Sequence, residues 1–491
     1  MNPRVMLINP SENSSHEGNT RKPLNPNLGL AYIASFLKKE CNVVVRMIEM
    51  HPYELSAEQL RGIVGDFVPD IVGITSKTFN ILTAYKVANL VREINPKVVI
   101  VIGGAHATVL PELTLEECES INVVVRGEAE LTMKEMIERF VSGAKDDDLF
   151  VELLGTTYRT KSGEIVNNSN RELISNLDEL PFPDYSMFDL KSYGMLYDPI
   201  KHGFTRQFPV LTSRGCPYKC TFCAPILTRK FRQRSVENVI QEIELLVQEY
   251  KCNSIYFEDS TFCVNRKWFD KFCQELVCRG LNRKLSWGFE SRAELVQDEN
   301  IFKQAKDAGC IYVYYGIESG SSTVLDYAGK GITKDQIVNA VRLAKRAGIN
   351  QVAGSFIFGL PYETRETIEE TFDLIRELKL DTLNLNLVDI YPGTELWNMV
   401  ERGDGGIEWL PNMRYDWATY SRATCQTIVN DLSEQDLVQI LARARKELIR
   451  GFWEKGKKDF FFKLIAYFGY YLWNDPGQLV RYVRRYLIGA S

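Results

Sequence analysis

Cys216, Cys220 and Cys223 lie in one short stretch, Ser213-Arg214-Gly215-Cys216-Pro217-Tyr218-Lys219-Cys220-Thr221-Phe222-Cys223, spaced C-x3-C-x2-C. Three thiolates in one loop can hold three irons of a [4Fe–4S] cluster and leave the fourth iron without a cysteine. An open iron is what a catalytic cluster needs and a pure electron carrier does not. A structural zinc site calls for four closed ligands, and no fourth Cys or His lies nearby. Three unrelated buried cysteines are the remaining reading, against the rarity of clustered free thiols.

The rest of the composition sets the context for that loop. Eleven cysteines among 491 residues are too sparse for a disulfide scaffold, and four histidines leave little imidazole for chemistry. A hydrophobic share of 45% with 25% charged residues is that of a globular chain, neither disordered nor polytopic in a membrane. The formal charge of -5 gives no broad reason to bind nucleic acid. The apolar run Val5-Met6-Leu7-Ile8 ends at Asn9-Pro10, too short for a secretory segment. A reducing cytoplasm is therefore expected, where cysteines stay free or bind metal.

Two alternating series of elements must position the loop. Short apolar runs at 5–8, 43–47, 71–75, 98–102 and 123–125 alternate with helical patterns at 28–39, 57–64, 81–94 and 131–140. That rhythm predicts a parallel, doubly wound sheet whose ligands bind beyond the carboxyl ends of the strands. From about 145 to 205 the rhythm breaks. Lys161-Ser162-Gly163 predicts a hairpin turn, and Leu180-Pro181-Phe182-Pro183 predicts a linker. A second series follows, with strands expected at 210–212, 254–257, 286–289, 311–316, 352–358 and 382–389 and helices at 236–249, 266–279, 294–308, 334–347 and 364–378. Six β/α repeats predict a partial barrel with its site at the C-terminal strand ends. The cysteine loop directly follows the first of these strands.

The C-x3-C-x-Phe-C loop behind a barrel strand resembles the radical S-adenosylmethionine (SAM) superfamily. The resemblance covers about 208–395 and includes Tyr256-Phe257-Glu258-Asp259-Ser260, Trp287-Gly288-Phe289-Glu290-Ser291-Arg292, Tyr315-Gly316-Ile317-Glu318-Ser319-Gly320 and Gly354-Ser355-Phe356-Ile357-Phe358-Gly359. It implies that Cys216, Cys220 and Cys223 hold the cluster and that the open iron binds the amino and carboxylate groups of SAM. Reductive cleavage of SAM then yields a 5′-deoxyadenosyl radical. It also implies that Glu258 or Asp259 accepts hydrogen bonds from the SAM ammonium and that Arg292 pairs with its carboxylate. Glu318 would bind the ribose hydroxyls and Gly359 would lie near adenine. Phe222 and Ser319 join this SAM-binding set.

The first series resembles the cobalamin-binding domain that precedes the barrel in one large radical SAM class. The matching pieces are Pro26-Asn27-Leu28-Gly29-Leu30, Gly73-Ile74-Thr75-Ser76, Ile102-Gly103-Gly104-Ala105-His106 and Arg126-Gly127-Glu128. The resemblance implies that Thr75 and Ser76 hydrogen-bond the nucleotide tail, with Gly103 and Gly104 beside it. His106, Gly127 and Glu128 complete the candidate set. No D-x-H-x-x-G string is present, so cobalamin is expected without a protein histidine on cobalt. The alternative is a domain that has lost cobalamin and survives as a substrate-shaping module.

The tail has a different composition, with seven basic against three acidic residues in 451–491. Leu479, Val480, Val483, Tyr486 and Leu487 form an apolar stripe opposite Arg481, Arg484 and Arg485. Two readings stand: a basic amphipathic helix touching a membrane surface through 460–491, or helices that roof the barrel.

The expected α/β architecture is a Rossmann-like, B12-binding domain (1–145), a linker with a hairpin (146–205), a radical SAM, TIM-like partial barrel (206–395) and a C-terminal helical region (396–491). The expected activity is methylation of an unactivated carbon of a small or apolar substrate, with a [4Fe–4S] cluster, SAM and cobalamin. A flavodoxin or ferredoxin would supply electrons. The alternatives are a non-methylating radical reaction such as cyclisation, dehydration or rearrangement, and a non-catalytic iron–sulfur or corrinoid module.

Overall fold

The computed structural model describes residues 2–11, 25–51, 53, 55–193, 196–198, 203–224, 228–421 and 425–454. The tail beyond 454 and His16 lie outside the described residues, so the two readings of 460–491 are not addressed by it.

Nineteen strands are described, in chain order: β1 (Arg4–Asn9), β2 (Val44–Glu49), β3 (Ile71–Thr75), β4 (Val99–Gly103), β5 (Val123–Val125), β6 (Thr156–Arg159), β7 (Ile165–Asn167), β8 (Leu196–Asp198), β9 (Gly203–Thr205), β10 (Phe208–Val210), β11 (Ser213–Arg214), β12 (Arg232–Gln233), β13 (Ser254–Phe257), β14 (Ser286–Ser291), β15 (Cys310–Glu318), β16 (Gln351–Phe358), β17 (Thr382–Leu387), β18 (Ile407–Trp409) and β19 (Thr427–Val429). The first seven form one sheet in the order β2-β1-β3-β4-β5-β6-β7. Its β2-β1-β3-β4-β5 part is parallel, a doubly wound order whose direction reverses between β1 and β3 and opens a crevice there. The hairpin expected inside the linker is formed by β6 and β7. It adds two antiparallel strands to the edge of this sheet.

Alternation along the strands explains the double winding. Val5, Leu7, Ile71, Val101 and Val123 enter one buried cluster, while Met6, Ile8, Val72, Ile74, Ile100 and Ile102 enter another on the opposite face. The helices that cover the faces start where capping residues allow. Asn27 caps Leu28–Glu40 and Ser56 closes a capping box on Ala57–Phe67.

The second sheet has the order β10-β13-β14-β15-β16-β17, and every pairing is parallel. It is the expected six-stranded part of a barrel. One face carries Ile255, Phe257, Trp287, Phe289, Val313 and Tyr315, all buried against the helices, with the Phe257 and Phe262 rings 4.6 Å apart. The other face presents Tyr256, Tyr312 and Tyr314. The helix expected over 294–308 starts at Glu299, because Ala293–Leu295 makes a 3-10 turn and the Asp298 carboxylate caps Glu299–Asp307.

The connecting segment is packed, not loose. Leu177, Leu180, Tyr185, Phe188 and Tyr193 belong to the same buried cluster as both sheets, and the Tyr185 hydroxyl donates to the Pro209 carbonyl. Beyond the barrel, a segment through Trp417 and Tyr420 returns to the first sheet and joins its outer cluster. Trp417 Nε1 donates to Glu117 at 3.0 Å. Helix Glu434–Glu454 closes the described chain, and among the described residues no helix is long and apolar enough to cross a membrane.

Candidate active site between the two sheets

The cysteine loop leaves β10 and is closed at its base by the antiparallel pair β11–β12, with Arg214 opposite Arg232. At Gly215 (φ +86°) a Cβ would collide with the Lys230 carbonyl, so the loop needs glycine just before its first cysteine. Cys216 N donates to Thr228 O at 2.9 Å and Thr221 N to Ala328 O at 2.9 Å. These bonds fasten both halves of the loop. Cys220 is buried, and Cys216 and Cys223 are half-buried.

Cations crowd these thiols. Arg292 Nη1 lies 3.3 Å from Cys220 Sγ, and its guanidinium sits 3.9 Å over the Tyr218 ring. Cys220 and Cys223 share a proton: a hydrogen bond from Cys223 holds the Cys220 thiol below its usual range and leaves Cys223 above it, while the Lys330 and Arg292 charges favour thiolate against the cost of burial. Thiolate is the ligand form of cysteine, so the donor set suits iron. Among the described residues no three His, Cys, Asp or Glu side chains converge as a single ion would require. A four-iron cluster instead takes one thiolate per iron.

A strip of charged groups follows the C-terminal ends of β13, β14 and β15. The Glu258 carboxylate accepts from Asn25 Nδ2 at 2.8 Å. Glu290 accepts from the Tyr256 hydroxyl. Glu318 holds Lys330 Nζ at 2.9 Å and accepts from Ser355 Oγ at 3.0 Å. Burial raises the Glu258 and Glu290 carboxyls. Burial alone would lower the Lys330 ammonium, but Glu318 and Cys220 outweigh it and hold it above its usual range. Glu318 has φ +70° at the point where the β15–β16 register shifts. Such backbone is costly for a non-glycine residue and is found where function fixes it. Carboxylates beside two cations form a set able to receive a zwitterionic, hydroxyl-bearing ligand such as SAM. Phe222 joins the strip, with Lys330 Nζ 5.9 Å from its ring centroid.

Two residues expected on SAM lie elsewhere. Asp259 is buried and accepts from Thr212 N at 3.0 Å, Thr212 Oγ1 at 2.8 Å and the Ser213 hydroxyl. It ties the end of β10 to the start of the cysteine loop. Ser319 Oγ faces Thr371 Oγ1 at 3.2 Å and accepts from Ser321 N at 3.2 Å, which leaves it inside the fold. Gly359 donates its N–H to Glu363 at 2.5 Å, so the fully buried Glu363 shapes the turn after β16.

The crevice of the first sheet opens toward this loop. A cavity of ≈ 360 Å³ is lined by strand ends of the first sheet, including Gly73, Thr75, Gly103 and Gly104, then by Gly127 and Glu128. The cysteine loop and its β11–β12 base supply Ser213, Arg214, Gly215 and Arg232 to the opposite wall, and Glu258 joins them from the end of β13. The size is that of a cofactor site. Gly104 (φ +95°) approaches the Ser76 backbone so closely that a Cβ would clash, and Gly127 leaves open space. A corrin needs such bare backbone at strand ends.

Ser76 and His106 do not line this cavity. Ser76 Oγ donates to Gly103 O at 2.8 Å, fixing the turn that the glycines make. His106 is buried on the outer side, with Nδ1 3.2 Å from Thr78 Oγ1 and its ring edge-on to Trp417 at 4.7 Å. Burial pushes its pKa down to about 4.

Lys330, Tyr218 and Glu290 were not singled out by the sequence. Lys330 has a signal in Gly329-Lys330-Gly331, a lone cation between glycines. Tyr218 and Glu290 have none beyond their places in the loop and at a strand end.

Six parallel strands with a three-cysteine loop after the first define the class: a half-barrel iron–sulfur enzyme. Residues 210–375 match the model of the Radical SAM superfamily, and residues 18–137 match that of the B12 binding domain. The chain is 38% identical over 399 residues to an uncharacterized methyltransferase of Pyrococcus horikoshii, covering 80% of this chain and 82% of that protein. It is 31% identical over 420 residues to an anaerobic magnesium-protoporphyrin IX monomethyl ester cyclase of Rubrivivax gelatinosus, covering 85% and 73%. The fold is shared with the radical SAM methyltransferase TsrM from Kitasatospora setae (TM-score 0.70, 18% identity, 90% of this chain and 88% of that one). It is shared also with the cobalamin-dependent radical enzyme OxsB, at TM-score 0.65 and 24% identity over 81% of this chain. This chain spans 55% of OxsB. The chain belongs to the cobalamin-dependent radical SAM family. Its cofactors are a [4Fe–4S] cluster, SAM and cobalamin, and its chemistry requires an external reductant and a small-molecule substrate.

Proposed function

We propose that this enzyme methylates an unactivated carbon of a small, largely apolar substrate. One observation carries the reading: the glycine-lined cavity and the cysteine loop share a wall, Ser213-Arg214-Gly215, so a methyl carrier and a radical source sit side by side. When bound, the cluster and SAM supply a radical able to remove hydrogen from an inert C–H bond, and cobalamin supplies the methyl group. Cys216, Cys220 and Cys223 hold the cluster. Glu258, Glu318, Arg292 and Phe222 bind and orient SAM, with Lys330 holding the Glu318 carboxylate in place by their ion pair. Thr75, Gly103, Gly104 and Gly127 admit cobalamin.

The inner face of the half barrel supports the apolar substrate. The Tyr256 and Tyr312 rings lie 6.2 Å apart and those of Tyr312 and Tyr314 6.4 Å. Asn384 Nδ2 donates to the Tyr314 hydroxyl at 3.2 Å, and Tyr256 leans on Glu290. The floor is aromatic with polar tips, its rings tilted by 29–52° to one another, a surface suited to apolar contact and to the exclusion of water. The electron donor fits a flavodoxin or ferredoxin. By this reading residues 1–145 form the corrinoid unit, 146–205 the connection, 206–395 the radical core and 396–491 a C-terminal region that caps the substrate or meets a membrane surface.

The test is anaerobic reconstitution followed by incubation with methyl-deuterated SAM and extract fractions as substrate source. Methyl transfer gives S-adenosylhomocysteine together with 5′-deoxyadenosine and a product heavier by the labelled methyl. Cys220→Ala removes the cluster absorbance and both SAM products. The likeness to the Rubrivivax cyclase favours a second reading, a radical reaction without methyl transfer. It predicts 5′-deoxyadenosine with no S-adenosylhomocysteine, an outcome that rejects methylation.

A further inference from the structure

The shared wall is held by one set of ion pairs. Glu128, just after β5, accepts from Arg214 Nη1 at 3.2 Å and from Arg232 Nη1 and Nη2 at 2.9 and 2.8 Å. It also accepts from the Ile174 backbone N–H at 2.9 Å, while Arg232 donates to the Ile174 carbonyl at 2.6 Å. Arg214 Nη2 reaches Glu130 at 2.6 Å, and its guanidinium lies 5.2 Å over the Tyr32 ring. No side chain among these four charges is more than 17% exposed. Burial works to raise the Glu128 carboxyl, but the Arg232 hydrogen bonds and the Arg214 charge outweigh it and hold it below its usual range.

The positions of these charges link two places. Glu128, Glu130, Tyr32, Arg214 and Arg232 all line the cavity. Arg214 and Arg232 also face each other across β11–β12, the base of the segment that carries the three cysteines. A ligand that fills the cavity expels water from these ion pairs and so strengthens them. The strengthened pairs fix the base of the cysteine loop. Conversely, a loop drawn together by its cluster sets Arg214 and Arg232 against Glu128 and completes the cavity wall.

We propose that Glu128, through Arg214 and Arg232, is a positioning residue that couples the two cofactor sites, so that cobalamin in the cavity and the cluster in the loop each favour the other. This rests on the cofactor placement proposed above. Equilibrium coupling is reciprocal, and couplings of this kind amount to about 5–150-fold.

The test compares hydroxocobalamin affinity, read from visible absorbance, in the full chain with its cluster loaded and after anaerobic removal of iron by chelation. The wild type is expected to bind at least about fivefold more tightly when loaded, and bound hydroxocobalamin is expected to raise, by a similar factor, the chelator concentration that removes half the iron at equilibrium. In Glu128→Gln both ratios fall to within about twofold of unity, while Glu128→Asp restores part of the coupling. Arg232→Lys, which keeps the charge but loses the two-pronged bond, repeats the loss should the Gln variant fold poorly. Equal affinity of loaded and cluster-free wild type overturns the coupling while leaving the corrinoid site intact. So does a Glu128→Gln protein whose two affinities fall together with their ratio kept, the mark of a merely structural wall residue. Hydroxocobalamin that fails to bind the loaded wild type overturns the corrinoid placement as well. No turnover is needed for any of these readings.

Discussion

His106 changes its meaning between sequence and structure, and the change is measurable. Its pKa of about 4 when folded lies below the ordinary value near 6.5. Between those two values the unfolded chain binds more protons than the folded one, so stability is full above pH 6.5 and is lost as pH falls toward 4. The full loss amounts to roughly 3–4 kcal/mol, about 2 kcal/mol of it by pH 5. In His106→Gln, denaturant unfolding between pH 7 and 5 should show a shallower decline than the wild type, with hydroxocobalamin affinity unchanged. Parallel declines in the two proteins would contradict the buried, neutral imidazole.

Residues whose chemistry demands both a type and a spacing were legible: Cys216, Cys220, Cys223 and the glycines of the first sheet. Glu258 and Glu318 were legible as strand-end carboxylates, but so was Asp259, which differs only in what faces it. Thr212 and Ser213 surround Asp259 with donors, and no local pattern announces that. Lys330 escaped for the same reason, since its partner Glu318 sits twelve positions earlier on another element.

At the scale of elements, short apolar runs and helical periodicity located nearly every strand and helix of both sheets, because each has a face to bury. What they missed depends on distant partners. The β6–β7 hairpin has its own turn signal, but its attachment beside β5 is written only in the other strand. The β11–β12 pair is two residues long on each side, too short for any period. The segment through Trp417 carries no pattern that says it returns to the first sheet. Its hold rests on one large side chain, buried to 3% exposure and packed on His106, Tyr415 and Tyr420. Trp417→Ala should cost about 3–5 kcal/mol locally. Limited proteolysis should then cut within 410–421 while the half barrel resists. A variant as resistant as the wild type would show that the neighbouring contacts suffice.

Across the whole molecule, the strand ends of the two sheets look at each other, and their helices meet in one buried cluster that runs from Val5 and Leu7 through Tyr185 to Phe289 and Phe372. A shared interior gives neither sheet a separate stability. Calorimetry of the protein should therefore show one main unfolding transition, and two well-separated peaks would speak for independent units. The α/β class and the two parallel series were readable from sequence; the joint between them was not, because the Glu128, Arg214 and Arg232 contacts span 86 and 104 positions.

The return of the Trp417 segment to the first sheet has a consequence for how the chain can come apart. The connection through residues 168–180 joins the two halves once, and the Trp417–Glu117 clasp joins them a second time, so the path closes into a ring. A ring opened at one point remains a chain of neighbours. A single cut in the exposed stretch near Glu172 would thus leave the two cofactor halves tethered and aligned. Separation would need the clasp, the Glu128 ion pairs and the shared buried cluster to give way together.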